Sequence, residues 1–188
     1  MQDNLIIIDN FYQDPDAVRA HALSREFTVK GNYPGNRTDC VSDKQREYLK
    51  TYFEERVLKR AITYWPDGYN TAFQYTTEEA TTWVHHDLTS WAGVLYLTPN
   101  APVESGTGIY RHKETGIYQF KPDRPETELN YEKFLQDMTK WDQIAFVGNV
   151  YNRLVIYRGF LYHRSVLPGF GTDKNTGRLF QTFFFDSE

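Results

Sequence analysis

The spacing of apolar residues changes along this chain. Leu5-Ile6-Ile7-Ile8 is an unbroken, β-branched run and predicts a strand. Asp14-Pro15 then offers an N-cap with proline at the first helical position, which predicts a helix through about Phe27. Asn32 to Arg37 is turn chemistry with a ring and a base embedded in it, and reads as an irregular loop that either walls a site or merely connects. Tyr48, Leu49, Tyr52, Phe53, Leu58, Ala61 and Ile62 recur close to helical spacing, so a long amphipathic helix with a core-facing stripe is expected, ended by Trp65-Pro66. From Tyr69 onward short β-like runs follow: about Ala72 to Thr76, Thr81 to His86, Ala92 to Leu97, Gly108 to Tyr110, Ile144 to Val147, Leu154 to Tyr157 and Leu179 to Phe185. Tyr131, Phe134, Leu135, Met138 and Trp141 fit one more helix face. No repeat, low-complexity tract or linker interrupts residues 1–188, so one α+β, mainly β domain is expected: a sandwich or jelly roll buttressed by N-terminal helices.

Composition narrows the class. Aromatic residues make up 16% of the 188, which suits β-rich packing and pocket walls. The net charge is −4 and no basic tract stands out, so a nucleic-acid or membrane-surface partner is not expected. Cys40 is the single cysteine, and the sequence shows neither a signal peptide nor an apolar run long enough to span a bilayer, which together predict a reducing, cytoplasmic setting.

The chemistry centres on Trp83-Val84-His85-His86-Asp87. On a strand, His85 and Asp87 point to one face and His86 to the other. One imidazole and one carboxylate on a face are two thirds of a facial metal site, although the pair alone is a weak signal that reads first as a hydrogen-bonded strand end. Of the later histidines, His112 lies in the basic loop Arg111-His112-Lys113, where exposure or substrate contact suits it better than ligation. His163 sits in Phe160-Leu161-Tyr162-His163, and a buried neutral imidazole needs partners for both ring nitrogens, one of which a metal supplies. Arg178 opens the aromatic run Leu179 to Phe185. Burying a guanidinium there calls for an anion such as a carboxylate ligand, unless the side chain snorkels to water.

His85-x-Asp87, then His163, then Arg178 on the closing strand resembles the Fe(II)- and 2-oxoglutarate-dependent dioxygenases, and within them the prolyl-hydroxylase-like branch. Tyr75 stands ten residues before His85, as a tyrosine commonly does in that branch; Ala92 to Pro99 occupies the place of its strand ending Tyr-Leu-Asn; and Thr182 through Asp186 matches its threonine followed by aromatics and Asp. The similarity runs from about Phe73 to Asp186, with Leu5 to Tyr12 resembling the opening strand. It implies a double-stranded β-helix, Fe(II) on His85, Asp87 and His163, dioxygen as oxidant, and 2-oxoglutarate as cosubstrate. Arg178 would pair with its C5 carboxylate, Tyr96 or Thr182 would bind the same end, and Tyr75 would line its pocket. Two departures stand out: the gap from His163 to Arg178 is long, leaving Arg164 as the other candidate, and a charged insert spans Lys113 to Lys140.

The resemblance implies hydroxylation of a C–H bond in a peptide side chain or small molecule. The irregular segments Asn32 to Arg37 and Gly106 to Arg124 could cover the site, and their Tyr33, Arg37, Tyr110, Arg111 and His112 are candidate substrate residues suited to a polar or acidic molecule. A catalytically silent jelly-roll binding or structural module is the leading alternative. A cupin-like isomerase or zinc hydrolase is a third reading, one that gives Arg178 no duty.

Overall fold

The computed structural model describes residues 4–129 and 136–188. The described residues are mainly β, with two α-helices and two antiparallel sheets among them. β1 (Leu5–Ile8) precedes α1 (Pro15–Ser24), whose N-terminus is capped by Asp14 accepting from the Ala17 amide at 2.9 Å. α1 stops short of Phe27, because Arg25 turns extended and Phe27 leaves to pack edge-on against Tyr75 at 5.0 Å. Asn36 and Arg37 form a two-residue strand, β2, where an irregular loop was expected.

The long helix expected up to Ile62 is shorter in the structure. α2 (Asp43–Tyr52) starts at a reciprocal Ser42–Gln45 capping box, then loosens into a π-helical turn over Phe53–Leu58. Lys59 adopts a left-handed conformation (φ 55°), which ends the helix, and Ile62 opens a strand, β3 (Ile62–Tyr64). Tyr48, placed on the core stripe by its spacing, is exposed, while Leu49, Phe53 and Leu58 are buried. β4 (Phe73–Thr76), β5 (Trp91–Tyr96), β6 (Thr107–His112), β7 (Trp141–Val147), β8 (Leu154–Arg158), β9 (His163–Ser165) and β10 (Arg178–Ser187) complete the chain. Trp141 starts a strand, and Met138 lies on a short 3-10 turn, where one helix face had been expected to carry both. Tyr131, Phe134 and Leu135 of that expected helix lie outside the described residues.

The larger sheet runs β1-β8-β5-β10-β4-β2, with β3 pairing the far end of β10; the smaller runs β7-β6-β9. Alternation along each strand of the larger sheet decides what lies on either side. Trp91, Leu95, Leu154, Ile156, Leu179, Phe183 and Phe185 pack with Ala22, Leu49 and Phe53 beneath the helices. Their neighbours in sequence, Ala92, Tyr96, Val155, Tyr157 and Phe180, face Ile109, Val147 and Leu161 of the smaller sheet and the turn before it. At about 1.5–3 kcal/mol for each large side chain fully removed from water, the helix-side layer is the main anchor of the sheet. The inter-sheet layer is the one that opens into a cavity. Among the described residues no helix is long and apolar enough to cross a membrane.

Candidate active site

Residues 81–87 are extended, as expected, but join no ladder as a strand. They lie along β9 as an arm held by an isolated antiparallel bridge, His85 N–H to His163 O at 3.0 Å and His163 N–H to His85 O at 2.8 Å. The Asp87 amide donates to Gly159 O at 2.8 Å, and the Thr82 hydroxyl to Ser165 O at 2.9 Å. Gly159 is required here: a Cβ at this position would sit 2.2 Å from the Thr89 carbonyl oxygen. The Arg158-Gly159 turn therefore docks closely against the arm just beyond Asp87.

This docking brings His85, Asp87 and His163 together, with one ligand atom of each lying within 4.8 Å of the others. His163 Nε2 is 3.2 Å from Asp87 Oδ2, and the two imidazole centroids are 4.4 Å apart. Each ring is fixed from behind: His85 Nδ1 lies 3.0 Å from Trp83 O, and His163 Nδ1 lies 2.7 Å from Leu161 O. A carbonyl oxygen only accepts, so both Nδ1 atoms carry a hydrogen, and both Nε2 atoms face the shared centre. Burial, with His163 close by, pushes the His85 imidazole down to about 4, so it is neutral at pH 7. Burial would raise Asp87, but the charge and hydrogen bond of His163, with His85, outweigh it and hold the carboxyl below its ordinary value. Two imidazoles and one carboxylate with a common focus form a donor set that fits a divalent transition metal. His86 alternates away; its ring stacks on Phe120 at 4.3 Å and 16°.

A cavity of about 950 Å³ opens beside the triad, lined from both sheets by Val94, Thr107, Tyr157, Phe180 and Thr182. The Tyr157 ring packs 4.5 Å from His163, and burial, followed by the Asp87 charge, raises its phenol well above the ordinary value. Arg178, on the face of β10 that carries Phe180, is 2% exposed. Its Nη2 donates to Gly106 O at 3.3 Å and Val166 O at 3.1 Å, while its Nε is a buried donor with no partner among the described residues. No carboxylate of the described residues pairs with it, and burial, together with nearby Arg164, lowers its pKa. Beside it the Tyr96 and Thr107 hydroxyls are hydrogen-bonded at 2.6 Å. An orphaned buried guanidinium N–H next to two hydroxyls is a cradle that a carboxylate would complete.

Several sequence expectations are corrected. Tyr75 does not line the cavity: it alternates to the helix side against Phe27, and Gln74 faces the cavity in its place. Thr182 lines the cavity but emerges four residues from Arg178, about 13 Å along the strand, and its hydroxyl is directed at Tyr69 O and Ala72 O, so it cannot share Arg178's end. Arg164 is the residue after His163 in β9 and lies beside Tyr110, where a second cavity of about 350 Å³ opens; it lines both cavities. Tyr110 belongs to that second cavity. Arg111 points outward in a salt bridge to Asp142 at 2.9 Å, and His112 is buried against Trp141 with Nδ1 2.8 Å from the Thr115 hydroxyl. Of the five candidate substrate residues, Tyr33 and Arg37 line the main cavity. Thr107 and Gln74 were missed. Gln74 was detectable as the polar residue alternating with Phe73 and Tyr75, whereas Thr107, between two glycines, carried no signal.

Solved structures share this architecture. HygX from Streptomyces hygroscopicus, with nickel, 2-oxoglutarate and hygromycin B bound, superposes with a TM-score of 0.58 at 10% identity, over 97% of this chain and 82% of that one. A prolyl hydroxylase from Trichoplax adhaerens, in complex with a hypoxia-inducible-factor peptide fragment, gives 0.56 at 14% identity over 98% and 84%. SnoN, a non-haem α-ketoglutarate-dependent epimerase of nogalamycin biosynthesis, gives 0.59 at 11% over 97% and 78%. The likeness to these three proteins, a prolyl hydroxylase and an α-ketoglutarate-dependent epimerase among them, is one of fold. No curated protein matches the sequence. A family model matches residues 1–185, nearly the whole length, and by that match the chain belongs to the family of unknown function DUF6445.

Proposed function

We propose that this protein is a non-haem Fe(II)- and 2-oxoglutarate-dependent oxygenase built on a double-stranded β-helix, which hydroxylates a C–H bond of a small molecule or peptide side chain. The observation that carries this reading is the focus of His85 Nε2, His163 Nε2 and an Asp87 oxygen on one point, with both Nδ1 atoms tied to backbone carbonyls. His85, Asp87 and His163 would hold the metal, and Arg178 with Tyr96 and Thr107 would hold the far carboxylate of 2-oxoglutarate. When bound, metal and cosubstrate supply the oxidation of the substrate by dioxygen, with release of succinate and CO2.

The chain's own contribution is position and dryness. The carbonyls of Trp83 and Leu161 keep the imidazoles in their metal-binding tautomer before any ligand arrives. Tyr157 and Phe180 line the cavity and exclude water from its inner part, which strengthens each charge interaction made there. Arg178 cannot deprotonate, so it fixes the charge that orients the cosubstrate across the working pH range.

The test is succinate release in the presence of Fe(II) and 2-oxoglutarate, first alone and then across a panel of peptides and metabolites. Slow uncoupled turnover that a panel member accelerates supports the reading. Metal binding without any 2-oxoglutarate consumption would leave the silent binding module.

A further inference from the structure

The cavity wall carries a buried cation of its own, separate from Arg178. Arg37, on β2, is 8% exposed, and its guanidinium carbon sits 3.7 Å above the centre of the Tyr33 ring. Nε and Nη2 both donate to Gln74 Oε1, at 2.8 and 2.6 Å, and the Gln74 amide is itself oriented by donating to Pro34 O at 2.6 Å. Nη1 has no hydrogen-bond partner among the described residues, and no carboxylate of those residues forms a salt bridge with Arg37. The side chain is therefore held by a stacked ring and a neutral amide, with one N–H edge unused. Burial lowers its pKa to about 10, still fully charged at pH 7, and Tyr33, Asp87 and Tyr69 each act to raise it, which places Arg37 in the electrostatic neighbourhood of the triad.

Register separates the two arginines. Arg37 pairs with Gln74 of β4, and Gln74 with Phe180 of β10; Arg178 pairs with Thr76 instead. Two strand spacings across and two residues along put the Arg37 and Arg178 backbones about 12 Å apart on one face. The other charged groups lining the cavity are Asp87, already committed to the histidine pair, Glu128, which is exposed, and Arg164. With a divalent cation on the triad, the site would be net positive.

We infer that Arg37, stacked on Tyr33 and oriented by Gln74, is an anion-binding subsite for the molecule that is oxidised, which therefore carries a carboxylate or phosphate group. That this molecule is oxidised rests on the oxygenase reading; that Arg37 binds its anion does not. An arginine edge in a partly dry cavity recognises such oxygens by charge-assisted hydrogen bonds and discriminates against neutral isosteres, whose bonds are weaker. The distance to Arg178 leaves room for cosubstrate and substrate to be held together.

The experiment measures binding by calorimetry to the protein loaded with Mn(II) and 2-oxoglutarate, using phenylacetate and phenyl phosphate as probes, with phenylacetamide and phenol as their neutral counterparts. The acids are expected to bind at least about tenfold tighter than the neutral compounds, by analogy with the scale of one charged hydrogen bond. The relative affinity of the two acids tells carboxylate from phosphate. Arg37→Gln should abolish the preference while keeping Mn(II) and 2-oxoglutarate affinity, and Arg37→Lys should restore part of it, which excludes misfolding as the cause. Equal binding of acid and neutral probe, no binding of either acid, or a preference that survives Arg37→Gln overturns the proposal. So does a loss of 2-oxoglutarate affinity in Arg37→Gln, which would make Arg37 the cosubstrate residue. Repeating the probe titrations on the metal-free protein separates the two readings: an acid preference there, without succinate release in the turnover assay, sinks the oxygenase and keeps the anion subsite.

Discussion

Replacing Arg178 by methionine should stabilise the ligand-free protein and, in the same variant, remove its response to 2-oxoglutarate. The guanidinium is 2% exposed and its Nε has no partner among the described residues, a defect costing about 1–3 kcal/mol. Methionine fills most of the same volume without a charge or a donor. The loss on the other side is small. Gly106 O also accepts from the Val166 amide at 2.9 Å and stays satisfied, so only the Val166 carbonyl gives up a hydrogen bond, about 1 kcal/mol. The net is a gain of about 0–2 kcal/mol, or a rise of up to about 8 °C in Tm for a chain of this size. Wild type at 2-oxoglutarate concentrations a hundredfold above Kd should gain about 2.7 kcal/mol, and the variant little of it, since truncating one member of a buried charged pair removes about 2–5 kcal/mol of binding. Thermal melts of both proteins with Mn(II), with and without 2-oxoglutarate, read both signs at once. A variant that melts well below wild type and still shifts with 2-oxoglutarate would show that Arg178 is a structural arginine and that the cosubstrate lies elsewhere.

Three further outcomes follow from the triad. His85→Ala or Asp87→Ala should abolish metal binding in a Mn(II) or Co(II) titration, whereas His86→Ala should keep it and lose instead some stability from its stacking on Phe120; a reversed order would contradict the alternation on which the site is built. Stability of the metal-free protein should fall on acidification from about pH 6.5 to 4. In that window the unfolded chain takes up a proton on His85 near its ordinary value of 6.5 while the folded chain, at about 4, resists, a cost of about 3 kcal/mol by the low end, and melts should show a steeper slope in wild type than in His85→Gln, which keeps the smaller contribution of buried His112. Gly159→Ala should weaken metal binding without touching a ligand, because its Cβ would drive the turn away from Thr89 and loosen the hydrogen bond that places Asp87; unchanged metal affinity in a folded variant would show that the arm needs no such docking.

His85 and Asp87 of the candidate metal centre were legible because their side chains follow alternation, a local rule, and His163 because a buried imidazole among apolar residues needs a partner. His85 and Asp87 are two apart, and no knowledge of the partner strand is needed to put them on one side. The same rule, applied one strand earlier, would have sent Tyr75 to the helix side and Gln74 to the cavity; the family spacing of a tyrosine overrode it. The end of α2 was not legible, since Leu58, Ala61 and Ile62 keep helical spacing through a point where Lys59 turns left-handed and β10 recruits Ile62 as a strand partner. That is tertiary pairing overriding a local pattern. Arg37 was legible as a base near a site, but its setting was not: the stacking on Tyr33 and the Gln74 amide depend on β2 joining β4.

The arm that carries His85 and Asp87 also covers the outer edge of β9, the end of the smaller sheet. Only a bridge and a few isolated hydrogen bonds keep it there, so whatever cation ties His85 and Asp87 to His163 also acts as a clasp over an open strand edge. Stripped of that clasp, β9 would offer its unsatisfied amides and carbonyls to another molecule of the same protein. Metal loss would then register first as self-association at concentrations where the charged form stays monodisperse, before any helix or core layer gives way.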